Sequence, residues 1–84
     1  MIIVKLLGSI QKTVNTNTLY IDEPNASISY IMSYLRNHAI EPDLIDEKNF
    51  LIAINGIESS LFPKGESVIK SGDTVTVASL VHGG

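Results

Sequence analysis

The chain opens on Ile2-Ile3-Val4-Lys5-Leu6-Leu7, a run of β-branched and aliphatic residues that stops at Gly8 and predicts a first strand. From Ser9 to Thr18 the sequence turns polar, with Asn15 and Asn17 supplying turn chemistry. Leu19-Tyr20-Ile21 then resumes an extended pattern that stops at Asp22-Glu23-Pro24, so a hairpin is the simplest connection. The clearest helical period follows. Ile28, Ile31, Met32 and Leu35 fall at i, i+3, i+4 and i+7, which places four apolar side chains on one face. Ser27 is the expected N-cap, because its hydroxyl can accept from a free amide of the first turn, and Pro24 discourages an earlier start. The helix is expected to end near Asn37 or His38. Tyr30 and Tyr34 lie one turn apart at the margins of the stripe, with their hydroxyls in water.

Glu41 to Lys48 combines Pro42 with dense charge and reads as a loop holding one short turn of helix. Phe50-Leu51-Ile52-Ala53-Ile54 is apolar at both parities and is followed by Asn55-Gly56, a pair tolerant of positive φ that signals a hairpin into a brief return strand at Ile57-Glu58. After Phe62-Pro63-Lys64-Gly65, the segment from Val68 to Asp73 reads as a turn, and Thr74 to Leu80 as a last strand of high β-propensity. The predicted order is strand, strand, helix, strand, short strand, strand. One helix covers only one side of such a sheet, so the other side should stay partly open, with Phe50 or Leu51 contributing to an apolar docking surface.

Composition narrows the function. At 84 residues, 44% of them hydrophobic, the chain is expected to form one small domain over 1–84, too small for a deep private cleft. Six Lys and Arg against nine Asp and Glu give a net charge of -3, the wrong sign for a phosphate backbone, so no direct nucleic-acid role is expected. With no cysteine, disulfides, thiolate nucleophiles and Cys-ligated metals are excluded. The longest apolar run, Phe50 to Ile54, is far short of the roughly 20 residues of a membrane span, and no secretory leader is legible. A soluble, cytoplasmic protein is expected. Two isolated histidines predict no metal site, and Asp43, Asp46 and Glu47 read as a solvated charge run. His38 is expected to interact with the carbonyls at the helix end. Neither G-x-G-x-x-G nor a Walker sequence is present, so no cofactor is expected to bind, and any ATP belongs to a partner.

The unusual feature is the ending Val81-His82-Gly83-Gly84 directly after the last strand. Two residues without Cβ make a thin tip that can thread a narrow channel and present an α-carboxylate to a partner's reagent. His82 has an ordinary pKa near neutrality, but a solvated tail residue that contacts the partner is the favoured reading.

These features together resemble the ubiquitin-like sulfur-carrier proteins, the MoaD and ThiS group with the eukaryotic ubiquitin-related modifier. The resemblance runs over nearly the whole chain. It rests on the opening strand Ile2 to Leu7, Ser27-Ile28 leading the helix, Leu51-Ile52-Ala53-Ile54-Asn55-Gly56, Gly72-Asp73-Thr74-Val75-Thr76-Val77, and Gly83-Gly84. It implies an α+β β-grasp fold, a mixed sheet of four to five strands with one main helix on one face and the first and last strands parallel at its centre. It also implies a protein co-substrate rather than an enzyme. A ubiquitin-activating-type adenylating enzyme would join the Gly84 carboxylate to AMP, and a persulfide donor would convert it to a thiocarboxylate, with Val81, His82 and Gly83 as the recognised tip. Sulfur would pass to molybdopterin, thiamine or tRNA, with a molybdopterin-synthase large subunit or a tRNA thiolase as the receiving partner. Molybdopterin-synthase small subunits carry consecutive prolines before the glycines, where this chain has Ser79-Leu80-Val81-His82. Leu-Val-His-Gly-Gly looks more like the ubiquitin-related modifier, which can also be joined to protein lysines.

Overall fold

The computed structural model describes residues 1–62 and 68–80. The opening run forms β1 (Ile2–Leu7), with Ile2, Val4 and Leu6 fully buried and Lys5 and Leu7 exposed. That alternation is what a strand with a single covered face requires. A short helix, α1 (Ile10–Val14), leads into β2 (Thr18–Ile21), which pairs antiparallel with β1. β3 (Asn25–Ala26) precedes α2 (Ile28–His38), and two 3-10 turns, Pro42–Leu44 and Glu47–Asn49, carry the chain to β4 (Phe50–Ile54). β5 (Ile57–Glu58), a third 3-10 turn (Ser59–Leu61), β6 (Ile69–Lys70) and β7 (Thr74–Ser79) complete the described residues.

The main sheet runs β2-β1-β7-β4-β5. β1 and β7 lie parallel at its centre, with Val4 opposite Val75 and Leu6 opposite Val77, while β4 runs antiparallel to β7. This is the mixed β-grasp sheet with one main helix on one face that the sequence led us to expect. α2 starts where expected: the Ser27 hydroxyl accepts from the Tyr30 amide at 3.0 Å, and the helix ends at His38. Ile31, Met32 and Leu35 are buried against Val4, Leu6, Val75, Val77, Ile52 and Ile54 in one core cluster, and Ile28 packs at its margin. At the far end of α2, His38 Nδ1 donates to the Tyr34 carbonyl at 2.8 Å, and its ring stacks on Tyr34 at 4.3 Å.

Two elements depart from the predicted order. The polar link after Gly8 contains α1, because Ile10, Thr13 and Val14 bury one side of a five-residue helix that ends on Asn15 at φ 62°. A helix this short forms only through tertiary packing, so its local signal is weak. The segment read as a turn before the last strand contains β6, whose Ile69 is fully buried and which pairs with β3 in a two-stranded ribbon.

The β4–β5 hairpin turns on Asn55 and Gly56, at φ 51° and 83°, as a two-residue turn with both central residues left-handed demands. Asn55 also reaches across the sheet: its side-chain amide donates to Asp73 Oδ1 at 3.0 Å, and its oxygen accepts from the Thr74 amide at 3.0 Å. The bond from Asn55, and then that from the Lys70 backbone N–H, hold the Asp73 carboxyl below its ordinary value of 3.8. A depressed native value stabilises the fold fully above the unfolded value, and that contribution is lost as pH falls through the native one. Asp73→Ala should therefore unfold at lower urea than the native chain at about pH 6, with the gap closing by about pH 2. A gap independent of pH would contradict the assignment.

Candidate functional site

The last strand sets the geometry of the site. Val81, His82, Gly83 and Gly84 lie outside the described residues, so the structure bears on them through the point from which they leave. That base is fixed from two sides. The Ser79 hydroxyl accepts from the Ile10 amide at 3.0 Å, and the Leu80 amide donates to the Asn49 carbonyl at 3.0 Å. Both partners come from segments beside the sheet, α1 on one side and the 3-10 turn before β4 on the other.

Gly8 makes the first of these contacts possible. It sits at φ +85°, and a Cβ there would lie 3.1 Å from the Ser79 Cβ, so a side chain would meet both an unfavourable backbone conformation and a crowded neighbour. Gly8→Ala is expected to cost about 2 kcal/mol in urea unfolding. A neutral result would mean that the β1–α1 turn adjusts freely and that Ser79 is not held by it.

Strand parity divides the predicted docking residues. Ile52 and Ile54 point into the core, and Phe50, of the same parity, is half-buried and packs against that core. Leu51 falls on the opposite, open face, 40% exposed. It stands opposite Ala78, which stands opposite Leu7, giving a row Leu7–Ala78–Leu51 across three strands at the end where β7 finishes. Leu7 and Leu80 are each about half exposed, at 51% and 56%. A second row, Lys5–Thr76–Ala53–Glu58, is polar at both flanks. The open face is thus an aliphatic patch next to the tail's base that fades into charge farther along the sheet, the pattern of a docking surface. Leu7 and Ala78 escaped the sequence analysis. The signal was their open-face parity in strands otherwise read only for β-propensity.

No protein-family model matches the chain, and no curated protein matches it by sequence. Solved structures do match. The solution structure of Urm1 from Trypanosoma brucei superposes with a TM-score of 0.73 at 26% identity, covering 99% of this chain and 94% of that one. The chain is an Urm1-like β-grasp protein. The resemblance to the ubiquitin-like sulfur-carrier group, drawn from the strand, helix and diglycine motifs, therefore holds along the whole fold. The solution structure of the Haloferax volcanii HVO 2177 protein shares the fold, with a TM-score of 0.69 at 20% identity over 99% of this chain and 85% of that one.

In this Urm1-like protein the described side chains do not assemble a catalytic constellation. Among the described residues no group of three His, Asp or Glu side chains could hold a metal ion, and no helix is long and apolar enough to cross a membrane. Asp46 caps its own 3-10 turn through the Lys48 amide at 3.2 Å and pairs with the Lys48 ammonium at 3.6 Å, so it has a structural role.

Proposed function

We propose that the protein is a ubiquitin-like sulfur carrier whose reacting group is the backbone α-carboxylate of Gly84. It acts as a protein co-substrate and catalyses nothing by itself. The observation that carries this reading is the likeness to Urm1 along 99% of the chain. The Gly83-Gly84 pair following a pinned strand end supports it.

A carboxylate is a poor electrophile, so it must first be activated. In the proposed sequence, a carboxylate oxygen of Gly84 attacks the α-phosphorus of ATP on a partner adenylating enzyme, forming the acyl adenylate and releasing pyrophosphate. The terminal sulfur of a donor persulfide then attacks the acyl carbon and AMP leaves. A second thiol reduces the resulting acyl disulfide, leaving the thiocarboxylate on Gly84 and a disulfide on the donor. Residues 81–84 span at most about 14 Å when extended, so the open face must dock close to the partner's nucleotide. Leu7, Leu51 and Leu80 supply that contact, while Val81, His82 and Gly83 form the threaded tip.

Incubation with a cognate activating enzyme, ATP and a persulfide donor should yield, by intact mass, a species with one oxygen replaced by sulfur. Adenylation without any sulfur exchange would overturn the carrier reading. The Leu-Val-His-Gly-Gly ending supports a second use of the same acyl adenylate, an isopeptide bond to a partner's lysine amine. Peptides from lysates that carry the tail remnant on lysine would reveal it.

A further inference from the structure

Beside the tail's base, on the α2 side of the sheet, lies a cleft of about 480 Å³ that the sulfur-carrier reading does not use. Ile10, Ile45 and Phe50 line its interior, and Ile40 and Leu44 stand around it with 75% and 55% of their surface in water. Two large aliphatics so exposed in one short segment are costly unless something covers them.

The walls are fixed by hydrogen bonds. The Thr13 carbonyl accepts from the Ile40 amide at 2.7 Å, and its hydroxyl accepts from the Glu41 amide at 3.0 Å, which fastens the 40–41 segment to α1. Arg36 Nε donates to the Ile45 carbonyl at 2.9 Å, and Ser79 joins β7 to α1 as described above. A cleft held open in this way needs little ordering on binding.

Charge selects the occupant. Residues 41–48 carry four carboxylates, Glu41, Asp43, Asp46 and Glu47, against one lysine, Lys48, which already pairs with Asp46. The C-terminal end of α2 at His38 adds the negative pole of the helix dipole to the same region. Lys12, across the cleft, is the cation in the lining. An acidic rim disfavours phosphate-bearing surfaces, whether nucleic acid or anionic lipid, and favours cations.

We propose that this cleft docks a short segment of a partner protein in which one aliphatic or aromatic side chain is flanked by Lys or Arg. The anchor lies against Phe50, Leu44 and Ile40, and its cationic neighbours face Glu41 and Asp43. The site is independent of the chemistry at Gly84. It is also on the side of the sheet opposite the Leu7–Ala78–Leu51 row, so both surfaces can be engaged at once.

The test is a random-peptide display library panned on the full chain, with recovered peptides synthesised and titrated into the isotope-labelled protein. Recovered sequences should share an apolar anchor with basic neighbours and shift the amides of Ile10, Thr13, Ile45 and Phe50. They should lose about tenfold or more in affinity for a Glu41→Lys, Asp43→Lys variant, whose two exposed side chains leave the fold intact. The proposal is overturned if no sequence is enriched, if the enriched sequences lack basic residues, or if the shifts fall on Lys5, Ala53 and Thr76 of the open face. None of these outcomes bears on whether Gly84 accepts sulfur.

Discussion

Leu35→Ala is expected to lower the unfolding free energy by about 3 kcal/mol, the loss of a fully buried leucine at the centre of the helix–sheet contact. Leu35 lies in one cluster with Ile31 and Met32 from the same face of α2 and with the inward residues of β1, β4 and β7. A domain of this length has perhaps 4 to 12 kcal/mol in total, so the variant gives up a quarter or more of its stability. Urea unfolding should show a lower midpoint with an unchanged slope. A loss below about 1 kcal/mol would mean that the core collapses around the gap and that α2 is not the fold's principal clamp.

Glutamate at both Leu7 and Leu51 should have the opposite profile. Each side chain is roughly half in water, so the urea midpoint should move by no more than about 0.5 kcal/mol. The apparent KM for the chain in adenylation should rise about a hundredfold, because two charges would be buried against the partner at the centre of the contact. The maximal rate at saturating chain should change little, since neither residue approaches the reacting atoms. An unchanged KM would remove the open face from the account while leaving Gly84 as the reacting group.

Much of the fold was legible because its long elements carry strong periods. Ile28, Ile31, Met32 and Leu35 announce α2, Ser27 marks its start, and Asn55-Gly56 fixes the β4–β5 hairpin, since each is a local signal that the tertiary fold reinforces. α1 and the β3–β6 ribbon were not legible. Five residues and two residues respectively are too few to show a period, and both depend on partners distant in the chain, Ser79 for α1 and Ile69 for β3. The site divides in the same way. Leu51 could be named from the apolar run, but only strand register separates it from Phe50 and sets it beside Ala78 and Leu7. The pinned base of the tail, through Gly8, Ser79 and Asn49, arises from contacts across the sheet that no spacing in the sequence encodes.

The most direct test of the central claim compares two semisynthetic chains identical except at the last atom group, one ending in the Gly84 carboxylate and the other in its amide. With activating enzyme and ATP, pyrophosphate release dependent on the chain should appear with the carboxylate and be absent with the amide, while both bind the enzyme equally. Equal release from the two would contradict the account, because some group other than the backbone terminus would then be the one activated.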